Sequence, residues 1–116
     1  MEVFATGEGA GKFKVRATVR DKTNEKKMKP LRDRLGDAYE SIEFVNADLC
    51  DEESIKAAVA GCTHIVHTAS PVGMEPKNPD DMIIPAVNGT KFVMNAAVAN
   101  GVKRVVVTSS VAAIMS

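Results

Sequence analysis

The chain has 116 residues, and its 15 Lys and Arg balance its 15 Asp and Glu. Balanced charge gives no support for a nucleic-acid or anionic-membrane partner bound through bulk electrostatics. The 45% hydrophobic content is typical of a globular domain, and no apolar run approaches the roughly 20 residues of a membrane span. Two cysteines are too few for a disulfide framework, and the first residues do not form a signal peptide, so a cytoplasmic location is expected.

The first half of the chain predicts a strand, a helix and a second strand. Residues 13–20 alternate apolar and polar side chains, which is the period of a half-buried strand. Apolar residues at helical spacing predict a helix over 23–35, with Thr23 or Asn24 as its cap. Gly36 ends this helix, and Pro30 is expected to kink or shorten it. Residues 41–46 are β-prone and predict the second strand.

The second half repeats this alternation. A short helix opened by Asp51 precedes a strand at 63–68, and a long helix at 80–100 precedes a strand at 102–108. Three successive valines in that last strand suit burial on both faces. The long helix carries one stripe of side chains at helical spacing: Ile84, Val87, Lys91, Met94 and Val98.

Strands that alternate with helices predict an α/β fold, a doubly wound parallel sheet. Ligands of such sheets bind at the carboxyl ends of the strands. Those ends are all small or polar here, as a ligand crevice requires, although most loops are polar in any protein. They are Arg20-Asp21, Ala47-Asp48-Leu49, Thr68-Ala69-Ser70 and Thr108-Ser109-Ser110.

Five short segments stand in one order and spacing between residues 13 and 114, namely 15–21, 47–49, 61–71, 85–90 and 103–110. Together they resemble the extended short-chain dehydrogenase/reductase family (NAD-dependent epimerase/dehydratase-like), and its dihydroflavonol reductase and cinnamoyl-CoA reductase-like group above all. The resemblance implies a partial NAD(P)-binding Rossmann-like domain over 13–116, preceded by an atypical segment over 1–12. It also implies an oxidoreductase that reduces a small-molecule ketone or aldehyde by hydride transfer.

The resemblance implies NADP as the cofactor in preference to NAD. Arg20 matches the end of the family's second strand, where a guanidinium forks onto a 2′-phosphate, and Lys27 matches a second basic position. Asp48 matches the residue that accepts a hydrogen bond from the adenine amino group, with Leu49 packed on the ring. The alternatives are solvated charges at Arg20 and Lys27, and a simple loop carboxylate at Asp48.

The remaining strand ends match the reactive part of the family's site. The resemblance implies that Thr68, Ala69, Ser70 and Thr108 line the path of the pyrophosphate and nicotinamide ribose. It implies a catalytic role for Ser110, whose hydroxyl would donate a hydrogen bond to the carbonyl oxygen as that oxygen gains charge. In the family the proton comes from a tyrosine whose pKa is lowered by a lysine four residues later.

Two parts of the family's machinery are absent from these residues. The single tyrosine is Tyr39, and Glu43 stands where the lysine of the pair would be. Gly7, Gly9 and Gly11 depart from the family's glycine spacing and leave no room for a helix before the strand at residue 13. The same glycines are not a Walker A loop, because Phe13 replaces its serine or threonine.

Three hypotheses follow. The chain is a reductase fragment, truncated at both ends and inactive by itself; or it is a non-catalytic module that senses NADP(H) or binds a protein; or it is an aberrant, marginally stable product. His64 and His67 flank an apolar strand without partners at ligand spacing, so no metal site is expected. The substrate and the oligomeric state stay open.

Overall fold

The computed structural model describes residues 11–71 and 78–115. In chain order it contains β1 (Arg16–Val19), α1 (Glu25–Leu35), a 3₁₀ helix (Gly36–Ser41), β2 (Glu43–Asn46), α2 (Glu52–Val59), β3 (His64–His67), α3 (Asp80–Ala99), β4 (Arg104–Val107) and a 3₁₀ helix (Val111–Ala113). The predicted alternation is therefore confirmed, with each strand shorter than predicted. The predictions about Gly7, Gly9 and the first ten residues, and about the loop after Pro71, lie outside the described residues.

The chain divides into two compact units, residues 1–47 and 48–116. In the first unit, β1 and β2 pair in parallel, with Arg16 opposite Glu43 and Val19 opposite Asn46. Met28 and Leu35 of α1 are buried, and so is Ile42 at the entry to β2. A parallel pair needs a crossover of a dozen residues or more, and α1 with the following 3₁₀ helix provides it.

Helix α1 shows which local signals decide its length. Gly36 ends it with a φ of 53°, a left-handed conformation that glycine adopts without the steric cost of a Cβ. Pro30 lies inside the helix, which continues to Leu35. Pro30 therefore does not end the helix, and of the two predicted effects the shortening is not observed while the kink stays a prediction. A proline removes one backbone hydrogen bond, and burial of Met28 and Leu35 on either side of it helps to hold the helix together.

In the second unit, β3 and β4 pair in parallel, with His64 opposite Arg104 and His67 opposite Val107. Helices α2 and α3 pack against each other. The buried apolar residues of this unit come from those two helices: Ile55, Ala58 and Val59 from α2, and Val93, Ala96 and Ala97 from α3. Ordered strand pairs of this kind support the α/β prediction of parallel strands joined by helices.

The stripe predicted on α3 exists as a helix face, but it is the exposed face. Ile84 is 53% exposed and Val98 is 80% exposed. The buried face instead carries small residues, among them Gly89 and Ala96. A Cβ built on Gly89 would lie 2.8 Å from Cδ2 of Leu49. The segment that carries Leu49 therefore approaches α3 more closely than a larger residue at position 89 would allow.

The burial predicted for the last strand is wrong within the described residues. Val106 and Val107 are about half exposed. Among the described strands, β4 pairs only with β3, so a run of valines that suits a doubly covered strand is covered only in part.

By length and composition alone, α3 could also cross a membrane, although it begins with two aspartates and carries Lys91 near its middle.

Candidate functional site

A cavity of about 180 Å³ lies at the carboxyl end of β1. Arg20 and Lys27, predicted separately from their positions in the sequence, both line it. The complete lining is Val19, Arg20, Asp21, Asn24, Lys27, Met28 and Leu31. Two basic residues thus border one concavity together with the apolar side chains of Val19, Met28 and Leu31.

The turn between β1 and α1 is fixed by side-chain hydrogen bonds. Oδ1 of Asp21 accepts from the N–H of Thr23 at 2.9 Å and from its hydroxyl at 2.6 Å. These bonds, the hydroxyl bond first, hold the pKa of the Asp21 carboxyl below its ordinary value. The N–H of Lys22 donates to Oδ1 of Asn46 at 2.9 Å, which ties the turn to the end of β2. The residues that follow Arg20 are therefore held in place.

Asn24 is a lining residue that sequence reasoning assigned differently. The sequence offered it as a helix cap, and it does stand at the N-cap position of α1. Its side chain makes no capping hydrogen bond, however, and it contributes to the cavity wall. The polar residue preceding the helix was the available signal, but a cap and a ligand contact use the same residue types, so the sequence alone could not separate them.

A tightly hydrogen-bonded turn follows β2. Oδ1 of Asp48 accepts from the N–H of Cys50 at 2.8 Å, and the carbonyl of Asp48 accepts from the N–H of Asp51 at 3.0 Å. Asp51 then caps α2, because its Oδ1 accepts from the N–H groups of Glu53 and Ser54. The Asp48 carboxylate is exposed at the surface of this turn, as a hydrogen-bond acceptor for a ligand would need to be.

Leu49 lies partly buried next to Asp48. Its Cβ, Cγ and Cδ2 atoms all stand within 3.2 Å of the position that a Cβ on Gly89 would take. The structure thus places this side chain against α3. The predicted contact between Leu49 and an aromatic ring stays a prediction.

The carboxyl ends of β3 and β4 meet at one edge of their sheet. The N–H of Thr108 donates to the carbonyl of His67 at 3.0 Å, so Thr108 and Thr68 follow neighbouring strands at the same level. Thr68, Ala69 and Ser70 are exposed, as are Thr108 and Ser110. The structure therefore brings the residues predicted for the reactive part of the site together at one sheet edge.

Ser110 opens the 3₁₀ helix Val111–Ala113. Its Oγ accepts a hydrogen bond from the N–H of Ala112 at 3.2 Å. A hydroxyl that accepts in this way still has its proton to donate, and the accepted bond polarises it for donation. The hydroxyl proton of Ser110 is therefore available for donation, and its catalytic role stays a prediction.

The two histidines of β3 differ in environment. His67 is buried, and burial lowers the pKa of its imidazole because the charged form would lose hydration. His64 is exposed, and its Nδ1 lies 3.0 Å from the hydroxyl of Thr63. Within residues 11–71 and 78–115, no three His, Cys, Asp or Glu side chains are grouped as metal ligands.

A family model described as the 3-beta hydroxysteroid dehydrogenase/isomerase family matches residues 12–116. The chain belongs to this family. The match covers every described strand and helix, and it confirms the resemblance to extended short-chain dehydrogenases/reductases that the five segments indicated.

Several relatives of this family member are named as reductases. Cinnamoyl-CoA reductase 1 of Arabidopsis thaliana is 46% identical over 102 residues, covering 88% of this chain and 28% of that protein. Dihydroflavonol 4-reductase of Dianthus caryophyllus is 43% identical over 99 residues, covering 84% and 27%. The chain therefore spans less than a third of the length of these relatives.

Solved structures agree with the Rossmann-like α/β prediction for this family member. Vestitone reductase from alfalfa, Medicago sativa, is 29% identical with a TM-score of 0.64, and the match covers 93% of this chain and 30% of that one. Pen from Bacillus thuringiensis is 28% identical with a TM-score of 0.72, covering 86% and 32%. The similarity to the reductase group and the fold class are both confirmed.

Proposed function

We propose that the chain is a fragment of an NADP-dependent reductase that transfers hydride to the ketone or aldehyde carbonyl of a small molecule in the cytoplasm. The observation that carries the proposal is the cavity at the end of β1, which Arg20 and Lys27 line together. Relatives named as reductases support the reaction class. No nucleic acid or membrane partner is needed for this function.

The cation pair supports NADP over NAD. A guanidinium makes two parallel hydrogen bonds to a phosphate, and an ammonium adds a point charge, so Arg20 and Lys27 suit a 2′-phosphate. A carboxylate at this point of the fold would instead bind the free 2′-hydroxyl of NAD. Asp21 is the nearby carboxylate, and its Oδ1 is already occupied by the N–H and hydroxyl of Thr23.

The other strand ends would supply the remaining contacts of the proposal. Asp48 would accept a hydrogen bond from the adenine amino group, and Thr68, Ala69, Ser70 and Thr108 would border the pyrophosphate and nicotinamide ribose. Ser110 would donate a hydrogen bond to the substrate's carbonyl oxygen. NADPH, when bound, would supply the hydride.

The proton donor of the family's reaction is the part that these 116 residues do not provide. The guanidinium carbon of Arg32 lies 5.3 Å from the Tyr39 ring centroid, and the Phe44 ring lies 4.8 Å away, so Tyr39 has a packing role. Glu43 stands four residues later and pairs with Arg16 at 2.9 Å. We therefore expect the chain by itself to bind ligand without turnover.

A non-catalytic NADP(H)-binding module is the second candidate. One observation favours it: the cavity is lined only by residues between Val19 and Leu31, all within the first unit. Phosphate recognition therefore requires none of the residues near Ser110. A module of this kind would keep its binding cavity and use it to sense the cofactor.

Binding of 2′,5′-ADP (the 2′-phosphorylated adenosine end of NADP), compared with 5′-AMP, tests the proposal by calorimetry. Loss of hydrogen bonds to a charged group costs about 1.5–3 kcal/mol, so Arg20→Ala should weaken 2′,5′-ADP binding about tenfold or more. Binding of 5′-AMP should change little. The preference for the 2′-phosphate should also fall as salt is raised, because both cations are near the surface.

Lys26→Ala is the matched control for Lys27→Ala. The two lysines are neighbours on α1 and their removal changes the net charge equally, but only Lys27 lines the cavity. We expect Lys27→Ala to weaken 2′,5′-ADP binding more than Lys26→Ala does. Equal affinities for 2′,5′-ADP and 5′-AMP in the unaltered chain would refute the 2′-phosphate site.

A further inference from the structure

Ser54 lies in the first turn of α2, and its hydroxyl contacts both the backbone N–H and the backbone carbonyl of Asp48. Its Oγ accepts a hydrogen bond from the N–H of Asp48 at 3.0 Å. The same hydroxyl donates to the carbonyl of Asp51 at 2.8 Å and lies 3.3 Å from the carbonyl of Asp48. One hydroxyl therefore connects the residue that follows β2 to the residue that caps α2.

Capping of α2 does not require this hydroxyl. Asp51 already supplies the cap, since its Oδ1 accepts from the N–H of Glu53 at 3.1 Å and from the N–H of Ser54 at 3.4 Å. The side chain at the third helical position usually returns to the N-cap residue itself. Ser54 bonds the carbonyl of the N-cap residue and in addition reaches three residues further back, to the N–H of Asp48, where no helix is present.

The Asp48 side chain is held from the other direction as well. Its Oδ1 accepts from the N–H of Cys50 at 2.8 Å. Among the described residues no hydrogen bond reaches Oδ2, and the residue is exposed. The backbone N–H of Asp48 is thus bound to Ser54 and its Oδ1 is bound to Cys50, while Oδ2 keeps its capacity to accept from a ligand.

We infer that Ser54 is a positioning residue that orients the Asp48 carboxylate as an acceptor for the amino group of adenine. The inference rests on the proposed function, in which Asp48 meets that amino group. Ser54 itself touches no ligand. Its hydrogen bonds make the turn rigid, so the Asp48 carboxylate is oriented before the ligand binds. That orientation favours a purine with an amino group at position 6 over one with an oxo group.

Base discrimination is the measurement that a merely structural role would not change. The probes are 2′,5′-ADP and its inosine counterpart, which carries an oxo group in place of the amino group. Because that oxo group would face a carboxylate oxygen, we expect the unaltered chain to bind the adenine ligand about tenfold more tightly. In Ser54→Ala the ratio should fall to roughly threefold or less, since the carboxylate loses its fixed orientation.

Three further variants make the result specific. Ser54→Thr keeps the hydroxyl and should keep the ratio, and Ser54→Cys, a weaker acceptor, should give an intermediate ratio and serves if the alanine variant fails to fold. Ser41→Ala removes a hydroxyl that bonds the carbonyl of Ala38 in the first unit, and it should leave the ratio unchanged.

The possible failures are distinguishable. If the unaltered chain prefers adenine and Ser54→Ala preserves that ratio, the positioning role is refuted while the proposed function stands. If the unaltered chain binds both ligands equally, the assignment of Asp48 to adenine and the role of Ser54 are refuted while the 2′-phosphate site stands. If it binds neither ligand, the proposed function itself is refuted.

Discussion

Gly89→Ala tests whether close approach to α3 holds the turn after β2 in place. The added Cβ would lie 2.8 Å from Cδ2 of Leu49 and 2.9 Å from its Cβ. Rotation about χ angles can move Cδ2, but Cβ moves only with the backbone. The substitution should therefore displace either the helix or the turn that carries Asp48 and Leu49.

The expected loss follows from two opposing effects. Added volume in a closely packed contact costs about 1–3 kcal/mol, and replacement of glycine by alanine inside a helix returns about 1 kcal/mol. The net effect should be a destabilisation of up to about 2 kcal/mol. For a domain of this size each kcal/mol corresponds to a melting shift of roughly 4–8 °C.

Urea unfolding followed by circular dichroism measures the effect, with Asn95→Ala as the control. Asn95 is exposed on the same helix, so its replacement gains helix propensity without any clash. Leu49→Ala removes Cγ and Cδ2 but keeps the Cβ contact, so in combination it should relieve only part of the loss. A Gly89→Ala chain as stable as Asn95→Ala would refute the packing argument.

Two other predictions concern catalysis and pH. The purified chain should oxidise no NADPH with a panel of ketones and aldehydes, because the tyrosine and lysine pair is absent; steady oxidation, read at the absorbance of NADPH, would contradict this. Burial lowers the folded-state pKa of His67 below the 6.5 of the unfolded chain, so its contribution to stability is present above pH 6.5 and is lost as pH falls toward the folded value. His67→Gln should flatten the dependence of the free energy of unfolding on pH between pH 7.5 and pH 5.5 (roughly one unit either side of the ordinary pKa). His64→Gln is the control and should leave that dependence unchanged. An unchanged slope in His67→Gln would assign the pH dependence to other groups.

Local signals predicted the elements well because each acts over a few residues. Asp51 caps α2 with two hydrogen bonds, and Gly36 ends α1 in a left-handed conformation, as their positions in the sequence indicated. Pro30 does not shorten α1, because tertiary burial stabilises the helix beyond what propensity expresses. The first 3₁₀ helix, Gly36–Ser41, went unpredicted, since its residues show no helical period.

Long-range packing was harder to predict. A stripe of mostly large apolar residues on α3 predicts one face, but that face is exposed, and the buried face holds Val93 with three small residues, Gly89, Ala96 and Ala97. Small residues carry little hydrophobic signal, and they are buried because they let another element approach closely. The contact between Gly89 and Leu49 depends on that approach, and no periodicity in either segment could have indicated it.

The candidate site was predictable to the extent that parallel strands end at the same edge of a sheet. That rule places Thr68 beside Thr108, and the helical spacing of α1 brings Lys27 to the cavity of Arg20. The same rule does not predict the roles of Asn24 and Ser54, because those roles depend on which hydrogen bonds their side chains make. A polar residue near a helix start predicts a cap, and only the structure shows that Asn24 does not cap and that Ser54 reaches back to Asp48.

In the proposed function, ligand binding can be measured without turnover, because Ser110 and the absent tyrosine and lysine pair contribute to different steps. Ser110 accepts from the N–H of Ala112, and in the proposed function it would donate its proton to an oxyanion, a contribution of about 10²–10³ in rate for donors of this kind. A serine hydroxyl gives up its proton at neutral pH only when a neighbouring base accepts it, so it cannot replace a general acid worth a further factor of about 10²–10⁴. Ligand affinity, which requires no proton transfer, is therefore the property through which these residues can be tested.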